Sequence, residues 1–437
     1  MIVRVTSCTE YTGIGGEQAM RVPQSRLRVV AASLLAIVAV ACGSSSSGGS
    51  GTSGNTSTGP VTITFWDTNA GPDRTPVWQE LILQTAILSG SPPDVSNPQV
   101  SQLAGMVAQN GLIPLDSQFN GWSDRGDIPA PVIQSIKGLV PDKKLYAIPI
   151  SGNLTTLYYR KDWIAQHNLK PPLTWTDFYN DVQALNDPSA GVYGFGLRGS
   201  TGSVAQLESW VYSEAGITSY FDSKGKSTFD SPAAVSVIQK AAGFYGKVSP
   251  KDDINHGYQE MAAEFDAGHV AMIMHNLGSY PQHIQALGKE AVGAVTLPAL
   301  SGGKHVLLNS AYIAAMVFKG TKHADAAWKF AAFLASADSV SYFNQKIGQI
   351  PPNTKVSNQQ WVLDNTGIQN ALATTKQSST TLVNPPWQLP DYTSIEAQME
   401  PEFQKVLLGQ VTPSTFASDL AGKLTTSKRQ YDQSLHK

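Results

Sequence analysis

The chain has 437 residues, of which 41% are hydrophobic and 15% are charged, and its net charge is −2. This length allows two or three domains with cores of their own, and the charged fraction is well below the roughly 25% of typical soluble domains. The small net charge gives no indication of a nucleic-acid partner. Both cysteines, Cys8 and Cys42, lie near the N-terminus, so the remainder predicts no disulfide, thiolate metal site or cysteine nucleophile.

The N-terminal region has the composition of an export signal. From Met20, three arginines precede an apolar stretch over residues 29–40, the order found in secretory signal peptides. That stretch is shorter than the roughly 20 residues that a membrane-spanning helix needs. It ends in Ala-Val-Ala-Cys-Gly over residues 39–43, which resembles a bacterial lipobox. The sequence predicts a signal peptide over residues 1–41 and lipidation of Cys42; a cleaved signal with an incidental cysteine is the alternative.

A flexible linker is predicted after the signal, because residues 42–60 are rich in Gly, Ser and Thr. Its roughly 18 residues reach about 20–25 Å on average, which holds a folded domain above a membrane surface. Such a tether raises the local concentration of a receptor near a membrane partner. Residues 1–19 have no targeting role in this interpretation, since Met20 is the better start.

Strands and helices alternate along the rest of the chain. The first part predicts strands at 61–66, 93–96, 145–150 and 154–160, and helices at 73–88, 100–110 (with Gly111 as C-cap) and 162–167. The second part predicts a helix opened by Thr174, a hairpin turn at 221–226, a helix at 232–245 with Ser231 as N-cap, and a buried strand at 270–274. This alternation predicts an α/β fold with parallel sheets covered by helices on both faces. Ligands bind such sheets beyond the carboxyl ends of the strands.

A series of short motifs runs along residues 60–437. They are Ile63–Trp66, Ser89–Val95, Gly111–Asp116, Leu145–Pro149, Leu157–Asp162, Thr174–Phe178, Phe265–Met272, Ala326–Phe330 with Phe333 and Leu334, and Gly348–Pro351. In this order and spacing they resemble the extracellular solute-binding proteins of family 1. Each motif alone is weak, and the resemblance depends on their common order behind a lipobox and a linker.

The resemblance implies a periplasmic-binding-protein-like fold, in which two α/β lobes are joined by a multi-strand hinge and the ligand lies between them. The expected N-terminal lobe comprises residues 61–152 and 310–345. The expected C-terminal lobe comprises residues 153–309 and 346–437. The chain is expected to cross between the lobes near Gly152, Asn309 and Lys346.

One segment departs from the resembled family. Between Glu80 and Thr85 the chain lacks a strand and parts of two helices that such proteins usually carry. A strand–helix–strand unit remains. We expect the first strand to be an exposed sheet edge and the N-terminal lobe to be less stable for this reason.

Candidate ligand-binding side chains lie mainly in turns after the predicted strands. Sugar sites use aromatic faces against the ring and amides, carboxylates or hydroxyls against its OH groups. The predicted set is Asp67, Asn69, Asn97, Gln99, Asn153, Glu208, Trp210, His275, Asn276, Tyr280, Asn309, Ser310, Trp387 and Tyr392. Structural alternatives stay open: helix capping for Asn97, hinge backbone for Asn153, and core packing for Trp210.

The resemblance implies an extracytoplasmic substrate-binding lipoprotein of an ABC importer. Such a protein captures a carbohydrate by hinge closure and delivers it to permease subunits that work with an ATPase. It catalyses nothing and needs no cofactor or metal. We expect a monomer on the outer face of the bacterial cytoplasmic membrane, held there by the lipid anchor only. Basic residues are sparse in the candidate loops, which favours a neutral ligand.

Three alternatives remain open. A glycerophosphate or glycerophosphodiester receptor of the same architecture needs Arg198 or Lys304 in the cleft. A secreted glycoside hydrolase needs two carboxylates roughly 5–10 Å apart across a cleft; Glu260, Glu264 and Asp266 are interpreted instead as a solvated helix face. A surface adhesion lipoprotein would not close around a ligand.

Overall fold

The computed structural model describes residues 2–6, 62–66 and 92–435. The strands in these residues are β1 (Ile2–Thr6), β2 (Thr62–Trp66), β3 (Val95–Ser96), β4 (Ala147–Ser151), β5 (Thr155–Arg160), β6 (Met272–Asn276), β7 (Val292–Thr296), β8 (His305–Leu308), β9 (Ile313–Val317) and β10 (Thr380–Val383). Residues 2–6 are the described part of the predicted signal peptide, and the rest of it lies outside the described residues. Outside them too lie Cys42, the linker, the helix at 73–88, the Glu80–Thr85 departure, Asp67 and Asn69.

Helices cover both sheets. They are α1 (Leu103–Ala108), α2 (Asp116–Asn120), α3 (Ala130–Lys137), α4 (Lys161–Gln166), α5 (Trp175–Ala184), α6 (Ser203–Ala215), α7 (Pro232–Ala242), α8 (Tyr258–Asp266), α9 (Tyr280–Leu287), α10 (Ala324–Leu334), α11 (Ala337–Ile347), α12 (Gln360–Leu363), α13 (Thr366–Thr375), α14 (Tyr392–Leu407) and α15 (Pro413–Ser434). Over the ranges that the structure describes, none of them has the length and apolar character that crossing a bilayer requires.

The first sheet has the strand order β1-β2-β3-β9-β4. β2 runs parallel to β3, whereas β9 is antiparallel to both β3 and β4. β1 pairs in parallel with β2 along its whole length, from Ile2 opposite Thr62 to Thr6 opposite Trp66. In the full chain β1 therefore covers the edge of β2, contrary to the expectation of an exposed edge. Cleavage before Cys42, as the sequence predicts, would remove β1 and expose that edge. An open edge presents unpaired N–H and C=O groups, and the β-branched residues of Ile2–Thr6 suit the strand that pairs with them.

The second sheet has the order β6-β5-β7, and both of its strand pairs are antiparallel. The prediction of parallel sheets is wrong here. β4 continues into β5 without an intervening helix, so β5 enters this sheet from the hinge side and runs outward. β6 and β7 run the opposite way, and their last residues, Asn276 and Thr296, pair with Thr155 and Thr156 at the start of β5. The separate pair β8–β10 is parallel.

Two main hydrophobic cores separate the molecule into two α/β lobes. The first core packs around β2, β4 and β9 and includes Phe65, Ile148 and Phe330. The second core is rich in aromatic residues and includes Phe178 and Trp210. This bears out the predicted two-lobed fold class, whereas the exact lobe boundaries given above stay a prediction.

Three chain segments meet by backbone pairing between the lobes. Gly152 pairs with Ile350, and Leu154 pairs with Asn309, both as antiparallel bridges. Ser151 Oγ also donates to Gln349 Oε1 at 2.5 Å. Two of these pairings involve Gly152 and Asn309, where crossings are expected, and the crossings themselves stay a prediction. The third segment pairs at Ile350, a few residues beyond the expected Lys346, which lies inside α11.

Local signals placed several helix ends correctly. Thr174 Oγ1 accepts the backbone N–H of Asp177 at 3.1 Å, and Ser231 Oγ accepts that of Ala234 at 3.3 Å, so both predicted N-caps are confirmed. The C-cap at Gly111 is wrong. The left-handed residue is Asn110 (φ 56°), and the N–H of Gly111 bonds back to Met106 O at 3.0 Å. Asn tolerates this conformation better than most residues.

Candidate ligand-binding site

A cavity of about 230 Å³ lies where the start of β5 and the ends of β6 and β8 meet α6 and α14. Most of its wall comes from the second lobe, and Gln99 and Ser101 add polar side chains from the first. A second cavity of about 500 Å³ adjoins it and extends toward α3. Asn153, Asn309, Ser310, Pro385 and Trp387 line both. A cleft of this kind, with a few convergent polar groups, is the usual form of a small-molecule site.

Most of the predicted ligand-binding residues line the first cavity. These are Gln99, Asn153, Glu208, His275, Asn276, Asn309, Ser310, Trp387 and Tyr392. The antiparallel sheet explains why they converge, because the start of β5 and the end of β6 lie at the same sheet edge. Whether they contact a ligand remains a prediction.

Trp210 does not line the cavity. Its indole stacks on Trp175 with 6.2 Å between ring centroids, and its Nε1 donates to Glu214 Oε2 at 2.8 Å. Trp210 lies two residues beyond Glu208 on α6. Positions i and i+2 face different sides of a helix. The orientation of α6 that places Glu208 at the cavity therefore places Trp210 in the core. The core alternative holds for Trp210.

Asn97 and Tyr280 are also placed away from the cavity wall. Asn97 is buried directly after β3. Tyr280 begins α9 and packs into a small core with Phe265 and Ile273. Its backbone follows the cavity residue Asn276 through a short turn that directs the chain into the lobe. The two remaining predicted residues, Asp67 and Asn69, lie outside the described residues.

Glu208 has an unusual environment on the cavity wall. Its side chain is 1% exposed, and its Oε2 accepts the hydroxyl hydrogens of Tyr220, at 2.9 Å, and of Tyr392. Its Oε1 is buried and has no hydrogen-bond partner among the described residues. Burial raises the pKa of Glu208 to about 7, although the two tyrosine hydrogen bonds act in the opposite direction.

Arg198 brings a positive charge to the same wall. Its Nε donates to Thr201 O at 2.5 Å, and burial lowers its pKa to about 10 against the opposing effect of Glu400. Glu400 accepts the backbone N–H of Gly202. Gly202 has a φ of 76°, and a Cβ there would lie 2.1 Å from Arg198 Nη2. Only glycine therefore lets this loop close over the guanidinium.

His275 is a neutral polar group of the cavity. Burial is the largest cause that lowers the pKa of His275 well below its ordinary value, and the neighbouring Arg198 and His283 lower it further. Its ring stacks on Tyr258 with centroids 5.0 Å apart, and its Nδ1 shares a hydrogen bond with Ser279 Oγ. These contacts fix the imidazole plane beside the cavity.

Trp387 is the aromatic residue shared by the two cavities. It follows Pro385 and Pro386, which stiffen the loop between β10 and α14. This loop is attached to the hinge, because Asn309 Nδ2 donates to Asn384 Oδ1 at 2.6 Å and Asn309 N donates to Val383 O at 2.9 Å. The indole is 8% exposed, so its position is set by packing.

Several cavity residues were not in the predicted set. They are Ser101, Thr155, Arg198, Thr201, Gly202, Ala205, Gln206, Ser209, Tyr220, Met274, Leu308, Ala311, Pro385, Thr393, Glu396, Ala397 and Glu400. A signal for two of them was available. Tyr392, Glu396 and Glu400 follow at i, i+4 and i+8 on α14, which places them on one helix face. Tyr220, in a loop after α6, has no comparable pattern.

The helix-face carboxylates of α8 are less solvated than expected. His256 Nδ1 lies 3.1 Å from Asp253 Oδ1 and 3.4 Å from Glu264 Oε2, and Asp253 is fully buried. Burial and the charge of Asp253 raise the pKa of Glu264 to about 8. Asp266 is paired with the buried His283 at 2.6 Å. The interpretation of Glu264 and Asp266 as a solvated face is therefore wrong.

The sequence comparison with protein families decides the assignment. The model of the bacterial extracellular solute-binding protein family matches residues 61–340. The chain belongs to this family. The resemblance found in the short motifs is thereby confirmed. Solute-binding proteins are carriers, so the assignment gives no support to a glycoside hydrolase.

Individual relatives of this solute-binding protein are distant. A protein of Brucella abortus (strain 2308) described as a binding protein is 25% identical over 367 residues, which cover 79% of this chain and 82% of the relative. The galactooligosaccharide-binding protein of Bacillus subtilis (strain 168) is 24% identical over 340 residues, 74% of each chain.

Solved structures share the fold of this solute-binding protein. An ABC transporter solute-binding protein of Thermotoga lettingae bound with α-D-tagatose superposes with a TM-score of 0.71 at 19% identity, covering 84% of this chain and 91% of that chain. A maltose-bound protein of T. maritima gives a TM-score of 0.71 at 20% identity, covering 83% and 90%.

Proposed function

We propose that this solute-binding protein captures a neutral sugar or polyol in the cavity beside the hinge and delivers it to the permease of an ABC importer. The observation that carries the proposal is the composition of the wall, where Trp387 supplies an aromatic face amid amides, hydroxyls and carboxylates. An aromatic face with polar groups around it suits the two kinds of surface on a sugar. The relative named for galactooligosaccharide binding supports the same ligand class.

The proposed mechanism is closure of the two lobes around the ligand. Residues of the first lobe, such as Gln99 and Ser101, face the same cavity as Glu208 and Trp387 of the second. A ligand that contacts both walls favours the closed arrangement by the difference in its binding free energy between the two states. The permease then recognises the closed form. The protein acts as a monomeric carrier in this mechanism and needs no cofactor.

The proposal places the protein on the outer face of the cytoplasmic membrane through an acylated Cys42. The lipobox-like sequence before Cys42 and the Gly/Ser-rich residues after it support this anchor. Metabolic labelling with an alkyne fatty acid tests it. Wild-type protein should carry the label and partition with membranes, and Cys42→Ser should carry none. Label on Cys42→Ser, or an unlabelled wild type, would refute the proposed lipid anchor. Neither result would bear on the proposed capture of a ligand.

The charges of the cavity favour a neutral ligand over a glycerophosphate. Arg198 lines the cavity, as that alternative requires, whereas Lys304 is exposed and does not. Arg198 faces an excess of acidic groups on the same wall, namely Glu396 and Glu400. A doubly charged phosphate would be repelled by these carboxylates in a partly desolvated site.

A thermal-shift screen tests the proposed function. The panel contains maltose, D-tagatose, ribitol, a galacto-oligosaccharide, sn-glycerol 3-phosphate, glycerophosphocholine and an amino-acid mixture. A ligand that binds only the folded state at 100 times its Kd stabilises it by about 2.7 kcal/mol. We expect a rise in Tm with at least one neutral saccharide or polyol. A rise confined to the glycerophosphates would favour the alternative receptor, and a rise confined to amino acids would overturn both.

A further inference from the structure

The two oxygens of Glu208 are held unequally. Oε2 accepts hydrogen bonds from Tyr220 and Tyr392, whereas Oε1 has no partner among the described residues despite complete burial. Glu208 nevertheless belongs to the cavity wall. Burying an acceptor without a donor is unfavourable, and the penalty is larger for a charged group. The site is therefore incomplete until a donor reaches Oε1 or a proton neutralises the carboxyl.

The two tyrosines give this carboxyl a fixed position. Tyr220 follows α6 in a loop, and Tyr392 begins α14, so the hydrogen bonds to Glu208 join three parts of the second lobe. The Tyr220 ring also stacks on Tyr212 with centroids 4.2 Å apart and meets Tyr392 edge to face. Neither phenol is able to turn away without losing these ring contacts. Oε2 is thus committed to the protein, and Oε1 is the oxygen left for a ligand.

We propose that Glu208 Oε1 accepts a hydroxyl hydrogen of the bound sugar, and that capture of the sugar is coupled to release of a proton from this carboxyl. The inference rests on the proposed function and assigns the chemistry of one contact within it. Before binding, the proton replaces the missing donor. After binding, the sugar hydroxyl and the two phenols together stabilise the ionised carboxylate.

The charged and titratable groups around Glu208 allow this exchange. Tyr212, Tyr220 and Tyr392 are buried, and burial raises the pKa of each further above its ordinary value, so all three stay neutral. Elsewhere on the cavity wall, Arg198 is balanced by Glu400, and His275 is neutral because burial lowers its pKa. Glu396 of α14 adds an acidic group on the same wall. Among these groups, Glu208 has the pKa of about 7 that places proton exchange near neutrality.

The sign of the expected pH dependence follows. The sugar binds the ionised carboxylate, so its affinity falls as the pH decreases below about 7 and protons compete for Glu208. The loss approaches tenfold per pH unit until the pKa of the bound form is reached. Above about pH 8 the affinity should be nearly constant.

Calorimetry with the saccharide that gives the largest shift in the thermal screen tests the inference. We expect the Kd of wild-type protein to rise severalfold from pH 7.5 to 6.0, and that of Glu208→Gln to be weaker but independent of pH. Glu264→Gln is the matched control, because Glu264 also has a raised pKa but does not line the cavity. It should retain the wild-type slope.

A second measurement needs no variant. At pH 7, the wild-type binding enthalpy should differ between phosphate and Tris buffers by an amount that corresponds to release of a substantial fraction of one proton. Equal enthalpies in the two buffers, or a pH slope that Glu208→Gln retains, would overturn the proton coupling and leave the sugar receptor intact. Failure of wild-type protein to bind any saccharide would remove both.

Discussion

Gly152 and Ile350 hydrogen-bond to each other in both directions, with Gly152 N donating to Ile350 O at 2.8 Å and Ile350 N to Gly152 O at 2.9 Å. This pair joins two of the segments that connect the lobes. Both residues line the second cavity, so the proposed hinge and the proposed ligand-binding region are one continuous part of the structure. Changes in the spacing of these segments should therefore change how the cavity closes.

Replacement of Gly152 tests this coupling. A Cβ at Gly152 would lie 3.0 Å from Tyr312 Cε1 and 3.3 Å from Ile350 O, so Gly152→Val should force the paired segments apart. Overpacking of this kind costs about 1–3 kcal/mol. We expect a lower Tm and weaker saccharide binding. Gly126→Ala is the control, because no atom lies within 4 Å of a Cβ there. Unchanged affinity in a folded Gly152→Val protein would separate the hinge from capture.

Trp387→Ala should weaken saccharide binding, and it should also lower stability because the indole belongs to the core of the second lobe. The indole lines both cavities in a loop stiffened by prolines, and loss of a buried aromatic anchor commonly costs more than 1 kcal/mol. A drop in saccharide affinity of about tenfold or more is expected from calorimetry. Trp361→Ala, which removes an indole outside both cavities, should leave the affinity within a factor of two. Equal losses in the two variants would refute a specific role for Trp387.

Trp210→Ala should lower stability without weakening saccharide binding. Trp210 packs against Trp175, Phe178, Phe195 and Phe244 in the core of the second lobe. Truncation of a buried Trp costs about 3–5 kcal/mol, so urea denaturation should reveal a large loss of the free energy of unfolding. Protein that remains folded at low temperature should bind saccharide with near-normal affinity. A stable Trp210→Ala protein that no longer binds saccharide would contradict the core role and indicate that Trp210 contacts the ligand.

The pH dependence of stability should reveal the cluster of Asp253, His256 and Glu264. The pKa of Glu264 is raised to about 8 by burial and Asp253, and that of His256 is raised by its bond to Asp253. Both groups bind protons more tightly in the folded state. Their contribution to stability is thus complete at low pH and is lost as the pH rises toward and through about 8. Tm measured between pH 5 and 9 should decline, and Glu264→Gln should reduce that decline. An unchanged slope in the variant would contradict the assignment.

The sequence predicted which residues gather at this cavity better than it predicted the sheets that position them. Asn153, Glu208, Asn309 and Trp387 converge on one cavity as expected. Asn153 also has the structural role that was left open, because its Oδ1 accepts the backbone N–H of Leu277 at 3.0 Å. The alternation of strands and helices along the sequence does not predict the direction of β5 relative to β6 and β7. That direction depends on β4, which lies in the first lobe and leads directly into β5. The pairing of Ile2–Thr6 with β2 was missed for a similar reason. Pairing between distant segments leaves no local pattern.

Two kinds of error in the predicted site have simple physical causes. Trp210 was selected for its residue type, although it lies two residues beyond Glu208 and the two side chains therefore face different sides of the helix. Glu396 and Glu400 were overlooked, although their spacing from Tyr392 places all three on one face. Helix geometry applied to each candidate would have corrected both. The bonds of Tyr220 to Glu208 join a loop to a helix, and only the three-dimensional structure reveals them.

Small-angle X-ray scattering with and without the stabilising saccharide tests closure of the lobes, because capture between two lobes requires them to approach each other. We expect a smaller radius of gyration at saturating saccharide, with no change for a sugar that leaves the Tm unaltered. A saccharide-saturated protein whose radius of gyration equals that of the ligand-free protein would contradict capture by closure.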